Sequence, residues 1–402
     1  MSKQAEFDLS PQRRVVVGVQ FLFVAFGATV LVPLLVGLDP SVALFTAGVG
    51  TLIFQLITKG KVPIFLGSSF AFIAPIQKAT ALYGLAGTLS GMVAVGAVYG
   101  LVSALIKWRG VDLVKRLFPS SVYGPVIILI GVSLAPVGVK MASSNWLLAC
   151  ISLSGVIVAL MYGRGLIKLI PVFIGIIVGY VVAMFMGQVD FSIIQNSPWI
   201  SFPKFITPEF SIGAILYLIP VALAPIVEHV GDVYAINAVT GKDFVKDPGL
   251  HRTMLGDGVA CTVAGFVGGP PATTYAEVTG AIALTKVFDP RVLTISAFTA
   301  IVFAFFGKVN GFLKSIPEAV LGGIMLILFG IIAAIGIKTM VVDKLDFAKS
   351  RNQIIVALIL TVGIGGVALK IGDFELSGIG LAAIVGIVLN LILPDPERKR
   401  GR

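Results

Sequence analysis

Gly268-Gly-Pro-Pro-Ala-Thr-Thr-Tyr-Ala-Glu277 interrupts an otherwise apolar chain with a turn-forming run that ends in a carboxylate. Its glycines and prolines disfavour a helix, and the residues from Ala276 onward suit a short one. A second run, Gly67-Ser-Ser-Phe-Ala-Phe-Ile-Ala-Pro75, has the same build, small residues first and apolar residues after. Each predicts an extended stretch followed by a half-helix. An extended stretch at membrane depth leaves backbone N–H groups free. The half-helix behind it aims its positive N-terminus at the same place. With a carboxylate beside it, such a place both donates and accepts hydrogen bonds. A ligand with alternating N–H and C=O groups along one edge matches that demand. A nucleobase has such an edge; an inorganic anion lacks the donors.

The residues around these runs define a membrane protein. The 402-residue chain is 57% hydrophobic and 12% charged, against about 25% charged in soluble domains. Apolar stretches of about 20 residues mark spanning helices. They predict spans at 14–37, 41–58, 83–106, 119–139, 146–163, 166–186, 211–235, 254–268, 291–308, 318–337, 352–369 and 377–393. The broken segments 62–80 and 270–287 complete fourteen. These two are the third and the tenth, hence third of seven in each half. An odd number of spans per half makes the halves run in opposite directions. The expected fold is therefore an all-α polytopic membrane protein of two inverted seven-segment repeats, with extended stretches in segments 3 and 10. Interrupted segments at matching positions point to a transporter binding site. Ordinary Gly/Pro kinking, frequent in membrane helices, is the competing reading.

The charge distribution sets the expected orientation. With this count, 24 of the 30 basic residues fall in loops on one side, among them Arg13, Arg14, Lys59, Lys61, Lys107, Arg109, Lys242, Lys246, Lys344 and Arg351. Lys78, Lys140, Lys204, Lys308, Lys314 and Lys370 fall on the other. That bias puts both termini in the cytoplasm of a multi-pass protein of the cytoplasmic membrane. The net charge of +10 reports topology rather than a nucleic-acid partner. The polar start lacks the pattern of a cleaved signal peptide. The basic tail from Pro394 to Arg402 is expected to be disordered or to face lipid. Trp199 and the phenylalanines of the loop 187–210 read as an interfacial belt. Cys150 and Cys261 sit in apolar runs and read as packing residues.

Charged groups within spans are costly and mark functional positions. In Val227-Glu-His-Val-Gly-Asp232, Glu228 and Asp232 share a helix face, with His229 one step round. Two carboxylates on one face in a low dielectric do not readily ionise together, which is the physical requirement for proton coupling, and Glu228, Asp232 and His229 are the expected proton-coupling residues. Asp232 also admits a plainer reading, as a hydrated group at the cytoplasmic end of its helix. Glu277 is either a ligand carboxylate or a cap on its half-helix, and the two can coexist. Asp257 reads as a polar tie between helices. Glu318 follows Pro317 at a helix start, and His251 falls in a cytoplasmic loop. Asp373 and Glu375 read as solvated loop residues. The two histidines, His229 and His251, lack metal-ligand spacing, and there is neither a P-loop nor a nucleophile elbow. No enzyme and no cofactor is expected. Ion-driven secondary transport remains, with protons as the coupling ion.

Several motifs in order carry a resemblance across nearly the whole chain: Phe26-Gly-Ala-Thr-Val-Leu-Val-Pro33, Gly67-Ser-Ser-Phe-Ala-Phe72, Glu228-His-Val-Gly231, Asp247-Pro-Gly-Leu-His-Arg252 and Thr273-Thr-Tyr-Ala-Glu277. The chain resembles the nucleobase–ascorbate transporter family, or nucleobase cation symporter-2, and its bacterial uracil permease branch. The resemblance implies a core domain (14–110 and 211–310) and a gate domain (111–190 and 316–394), with uracil held between them. It implies that Glu228 and Glu277 bind the base and that the N–H groups of Phe70 and Ala276 meet its carbonyls. Ala28, Phe70 and Tyr275 are implied to touch the ring, with Phe329 where relatives carry a ring-contacting Tyr. Proton symport and a homodimer are implied as well. The chain departs from the branch at Asp232, where uracil permeases carry His and purine carriers more often Asp, and at Val278, which replaces Asn. A xanthine or other purine symporter is the alternative within the family. A passive channel or facilitator is the alternative outside it.

Overall fold

The computed structural model describes residues 10–371 and 374–394. Asp373 and the tail beyond Pro394, singled out above, lie outside the described residues. Helices stand on nearly every predicted stretch, beginning with Pro11–Val36 and Pro40–Ile57 and ending with Gly378–Ile392. Among the described residues, six helical runs are long and apolar enough to cross a membrane, and further apolar helices are shorter. Large apolar side chains such as Leu101, Trp108, Met161, Phe185 and Phe210 point outward. That surface suits lipid tails, which also demand that backbone groups pair internally. The same holds for Trp199 and Phe202, exposed in the predicted aromatic loop.

The two turn-forming runs become short strands, β1 (Leu66–Ser68) and β2 (Ala272–Thr274). They pair antiparallel, Leu66 opposite Thr274, Gly67 opposite Thr273 and Ser68 opposite Ala272. Ser69 N–H extends the ladder by donating to Pro271 O at 3.0 Å. Each strand hands over to a helix, through a 3₁₀ turn at Phe70–Phe72 to Ile73–Arg109 and through Tyr275 to Ala276–Thr285. Both strands are buried, so the extended backbone finds its hydrogen bonds inside the protein, as its depth requires.

Segments 62–80 and 83–106 stay distinct, because the stretch Ile73–Arg109 is two helices parted by a kink at Gly84, whose φ of 71° and ψ of 166° are non-helical and open to glycine. The 211–235 span runs as one helical stretch, Ile212–Thr240, in which a 3₁₀ turn at Ile219–Ala222 near Pro220 joins Ile212–Leu218 to Leu223–Thr240. The 352–369 span stops at Ile364. Gly365-Gly366 ends it, with Gly366 at φ 70°, and Ala368–Ile371 then pairs with Phe374–Ser377. The reading of His251 as a loop residue is also corrected, since it is the second residue of the Leu250–Phe266 helix.

Candidate functional site

The strand pair is held at its back by hydroxyls. Thr51 Oγ1 accepts from Leu66 N at 2.9 Å, and Ser68 Oγ donates to Thr29 O at 3.1 Å. Cys261 Sγ donates to Ala272 O at 2.9 Å. Tyr275 crosses to the opposite strand, where its hydroxyl donates to Ser68 O at 2.9 Å. Its ring fills the space over Gly67: a Cβ there would meet ring carbons at 2.4 Å. Only glycine allows this approach. The tyrosine thus braces both strands, and through them both half-helices.

The front of the pair is open. Ala276 and Glu277 are exposed although they lie in the middle of the chain's helices, and Phe70 and Glu228 are partly so. A Cβ on Gly231 or Gly280, one turn beyond Glu228 and Glu277, would meet nothing within 4 Å. The two carboxylate faces therefore look onto free space. The first N–H groups of a helix have no intrahelical partner, so the starts at Phe70 and Ala276 present donors beside Glu277. Glu228 lies within electrostatic reach of Asp232, Glu277 and Asp257. The paired strands thus bring two helix starts together beside carboxylates from two helices.

Asp232 is placed differently from its plainer sequence reading. Its helix continues to Thr240, and the side chain is 7% exposed. Thr274 Oγ1, on β2, donates to Asp232 Oδ2 at 2.5 Å. A hydrated helix end is excluded, and Asp232 instead ties the Glu228 helix to the strand before Glu277. His229 turns the other way. It is fully buried, with Nδ1 2.8 Å from Asp257 Oδ2 and Nε2 2.9 Å from Thr253 Oγ1. Asp257 is therefore a tie between helices, and its partner is His229.

The remaining residues of interest divide. Ala28 and Tyr275 are buried beside the strand pair. Phe329 is 1% exposed, with its ring carbon 3.5 Å from where a Cβ on Gly138 would stand. It packs against the Ser120–Ala142 helix rather than lining the open face. A cavity reaches the Glu228 helix from one side, lined by Phe118, Ser120, Tyr123, Val230, Gly231 and Tyr234. At its edge Tyr123 Oη donates to Asp343 Oδ2 at 2.8 Å.

The comparisons with known proteins agree with this architecture. The sequence profile described as the Permease family matches residues 12–372. The chain is 50% identical to a probable uracil permease of Haemophilus influenzae over 95% of each chain. It is 44% identical to the uracil permease of Bacillus caldolyticus, over 94% of this chain and 92% of that one. In fold it resembles the murine Slc26a9 anion transporter in its inward-facing state, with a TM-score of 0.71 and 10% identity over 96% of this chain and 68% of that one.

Proposed function

Because this chain belongs to that permease family, the nucleobase–ascorbate transporters, which move solutes across membranes and are not enzymes, we propose that it is a proton-coupled symporter that imports uracil. The observation that carries this reading is the 50% identity to a probable uracil permease along 95% of both chains. The open face supports it chemically. Uracil offers two N–H donors and two carbonyl acceptors. Glu228 and Glu277 accept from the N–H groups, and the N–H groups of Phe70 and Ala276 donate to the carbonyls. A charge-assisted hydrogen bond is about twice as strong as a neutral one, so the carboxylates supply most of the orientation.

In this reading the fourteen segments form two inverted repeats. The core (14–110 and 211–310) holds the base, and it moves against the gate (111–190 and 316–394). The protein sits in the cytoplasmic membrane, and the basic loops and both termini lie inside. The cavity lined by Phe118, Tyr123 and Tyr234 is then the inward exit, since it opens beside the basic loops at 107–116 and 338–351. Glu228, with Asp232 one turn away, takes a proton outside and releases it inside. A neutral carboxyl crosses a low-dielectric barrier at far smaller cost than a carboxylate. A second copy of the chain completes a homodimer in this scheme.

The test is a panel of bases, read as ligand-dependent thermal stabilisation and as uptake into vesicles at several external pH values. Uracil should stabilise the protein and be concentrated in response to an inward proton gradient. Preference for xanthine over uracil overturns the substrate. Flux without accumulation overturns coupling and favours a passive facilitator.

A further inference from the structure

We propose that His229 and Asp257 hold a resident proton between them, form an electrically neutral pair, and position Glu228 without carrying the coupling proton. The argument is a proton count. A threonine hydroxyl has one proton, and Thr253 Oγ1 donates its own to Leu250 O at 2.9 Å. The contact of 2.9 Å from Thr253 Oγ1 to His229 Nε2 therefore needs a proton on Nε2. Across the ring, Nδ1 lies 2.8 Å from Asp257 Oδ2. An imidazole nitrogen and a carboxylate oxygen approach that closely only around a proton. The pair thus binds two protons. Whether written as imidazolium and carboxylate or as imidazole and carboxylic acid, its net charge is zero.

The alternative count turns the Thr253 hydroxyl toward Nε2 and leaves one proton in the pair. It also leaves the Thr253 bond to Leu250 O unmade and a net negative charge in a pair that is 0% exposed at both residues. An uncompensated buried charge is among the most costly arrangements in a protein. The surroundings give it no relief. Among the described residues, the titratable groups in electrostatic contact with Asp257 are Tyr99 from the Ile73–Arg109 stretch, Cys261 one turn along its own helix, Glu228 and Asp232 from the facing helix, and His229. His229 alone can be cationic. Tyr99 packs close by, since a Cβ on Gly258 would stand 2.7 Å from the Tyr99 Cβ.

The pair also fixes rotation. His229 follows Glu228 in the chain, so anchoring the imidazole to Thr253 and Asp257 sets which way the Glu228 side of the Leu223–Thr240 helix faces. This positioning half rests on the transport reading; the proton count does not.

The proton count is tested by NMR of the full-length protein in lipid nanodiscs, labelled with ¹⁵N-histidine. The chain has two histidines, so His251→Gln leaves the His229 signals alone. The expected result is a proton on Nε2. A bare Nε2 overturns the resident proton. Thr253→Val should shift the Nε2 signal, and an unmoved signal counts against the assignment. The positioning role is tested by Asp257→Ala in vesicle uptake. The expected outcome is a raised KM for uracil with the external-pH profile unmoved. Loss of the pH dependence shows instead that the pair carries the coupling proton. Failure of uracil to be transported by the unaltered protein defeats the transport reading and leaves the NMR result standing.

Discussion

Thr274 Oγ1 donates to Asp232 Oδ2 at 2.5 Å, and this one bond joins the helix of Glu228 to the strand that leads into Glu277. Both groups are buried, so neither has water as a substitute partner. Thr274→Val keeps the shape and removes the donor. An unmet buried acceptor costs about 1–3 kcal/mol. The variant should melt at lower temperature than the parent and bind uracil more weakly, whereas Thr274→Ser should restore both. Equal melting of the Val variant and the parent, by thermal denaturation in detergent, argues against a structural tie.

Gly67→Ala drives a methyl into the Tyr275 ring, whose nearest carbons lie 2.4 Å from the new Cβ position. Overpacking of this kind costs about 1–3 kcal/mol. The ring must swing off Ser68 O, which slackens both half-helices together. Uracil affinity should fall although neither residue is a hydrogen-bond partner of the base. Pairing Gly67→Ala with Tyr275→Leu should recover part of the stability, because the smaller side chain vacates the contact. A double variant no more stable than Gly67→Ala alone speaks against the steric account.

Glu277→Ala removes a charged acceptor from the open face. Hydrogen bonds to charged groups contribute about 1.5–3 kcal/mol, which is about 10- to 100-fold in Kd. Uracil-dependent stabilisation should shrink accordingly, while the ligand-free protein melts much as before, since the side chain is exposed. Isothermal titration of the purified variant gives the number, and an unchanged Kd removes Glu277 from the site.

Glu228→Gln mimics a carboxyl that is permanently protonated. Its amide still meets the base, so exchange of internal for external uracil should persist. Net accumulation should vanish, and uptake should no longer rise as the external pH is lowered. Vesicles with an imposed proton gradient separate the two measurements. A variant that still concentrates uracil places the coupling proton elsewhere.

The two interruptions could be read from the order of residues, whereas the parts given to Phe70, Ala276, Ala28 and Tyr275 rested on the family resemblance. Gly268 to Pro271 and Gly67 to Ser69 break a helical pattern wherever they stand, so the interruptions and the carboxylate after one of them were legible. Their pairing was not. Strands of three residues carry no useful alternation, and the contact between distant segments is a tertiary event. The plainer alternative for Asp232, a hydrated helix end, arises because the apolar window fades near residue 235, whereas Tyr234, Asn237 and Thr240 continue the helix. There Asn237 Oδ1 accepts from Phe244 N and Thr240 Oγ1 donates to Ile236 O, so polar side chains find partners without water. The tie at Asp257 was legible as a cost, a carboxyl in an apolar run. Its partner required knowing which way His229 turns. Phe329 was placed by resemblance rather than by its own chemistry, and it is buried against a neighbouring helix.

The antiparallel ladder between β1 and β2 has a consequence for energetics. Because the donors at Phe70 and Ala276 hang from one hydrogen-bonded frame, a rigid-body movement carries them together and leaves their spacing intact. In a carrier built this way the base meets the same hydrogen-bond partners whichever side is open. Any asymmetry in affinity between the two faces then comes from the protonation of the carboxyls and from hydration, so collapsing the proton gradient should turn a concentrating machine into an equal exchanger with one intrinsic Kd.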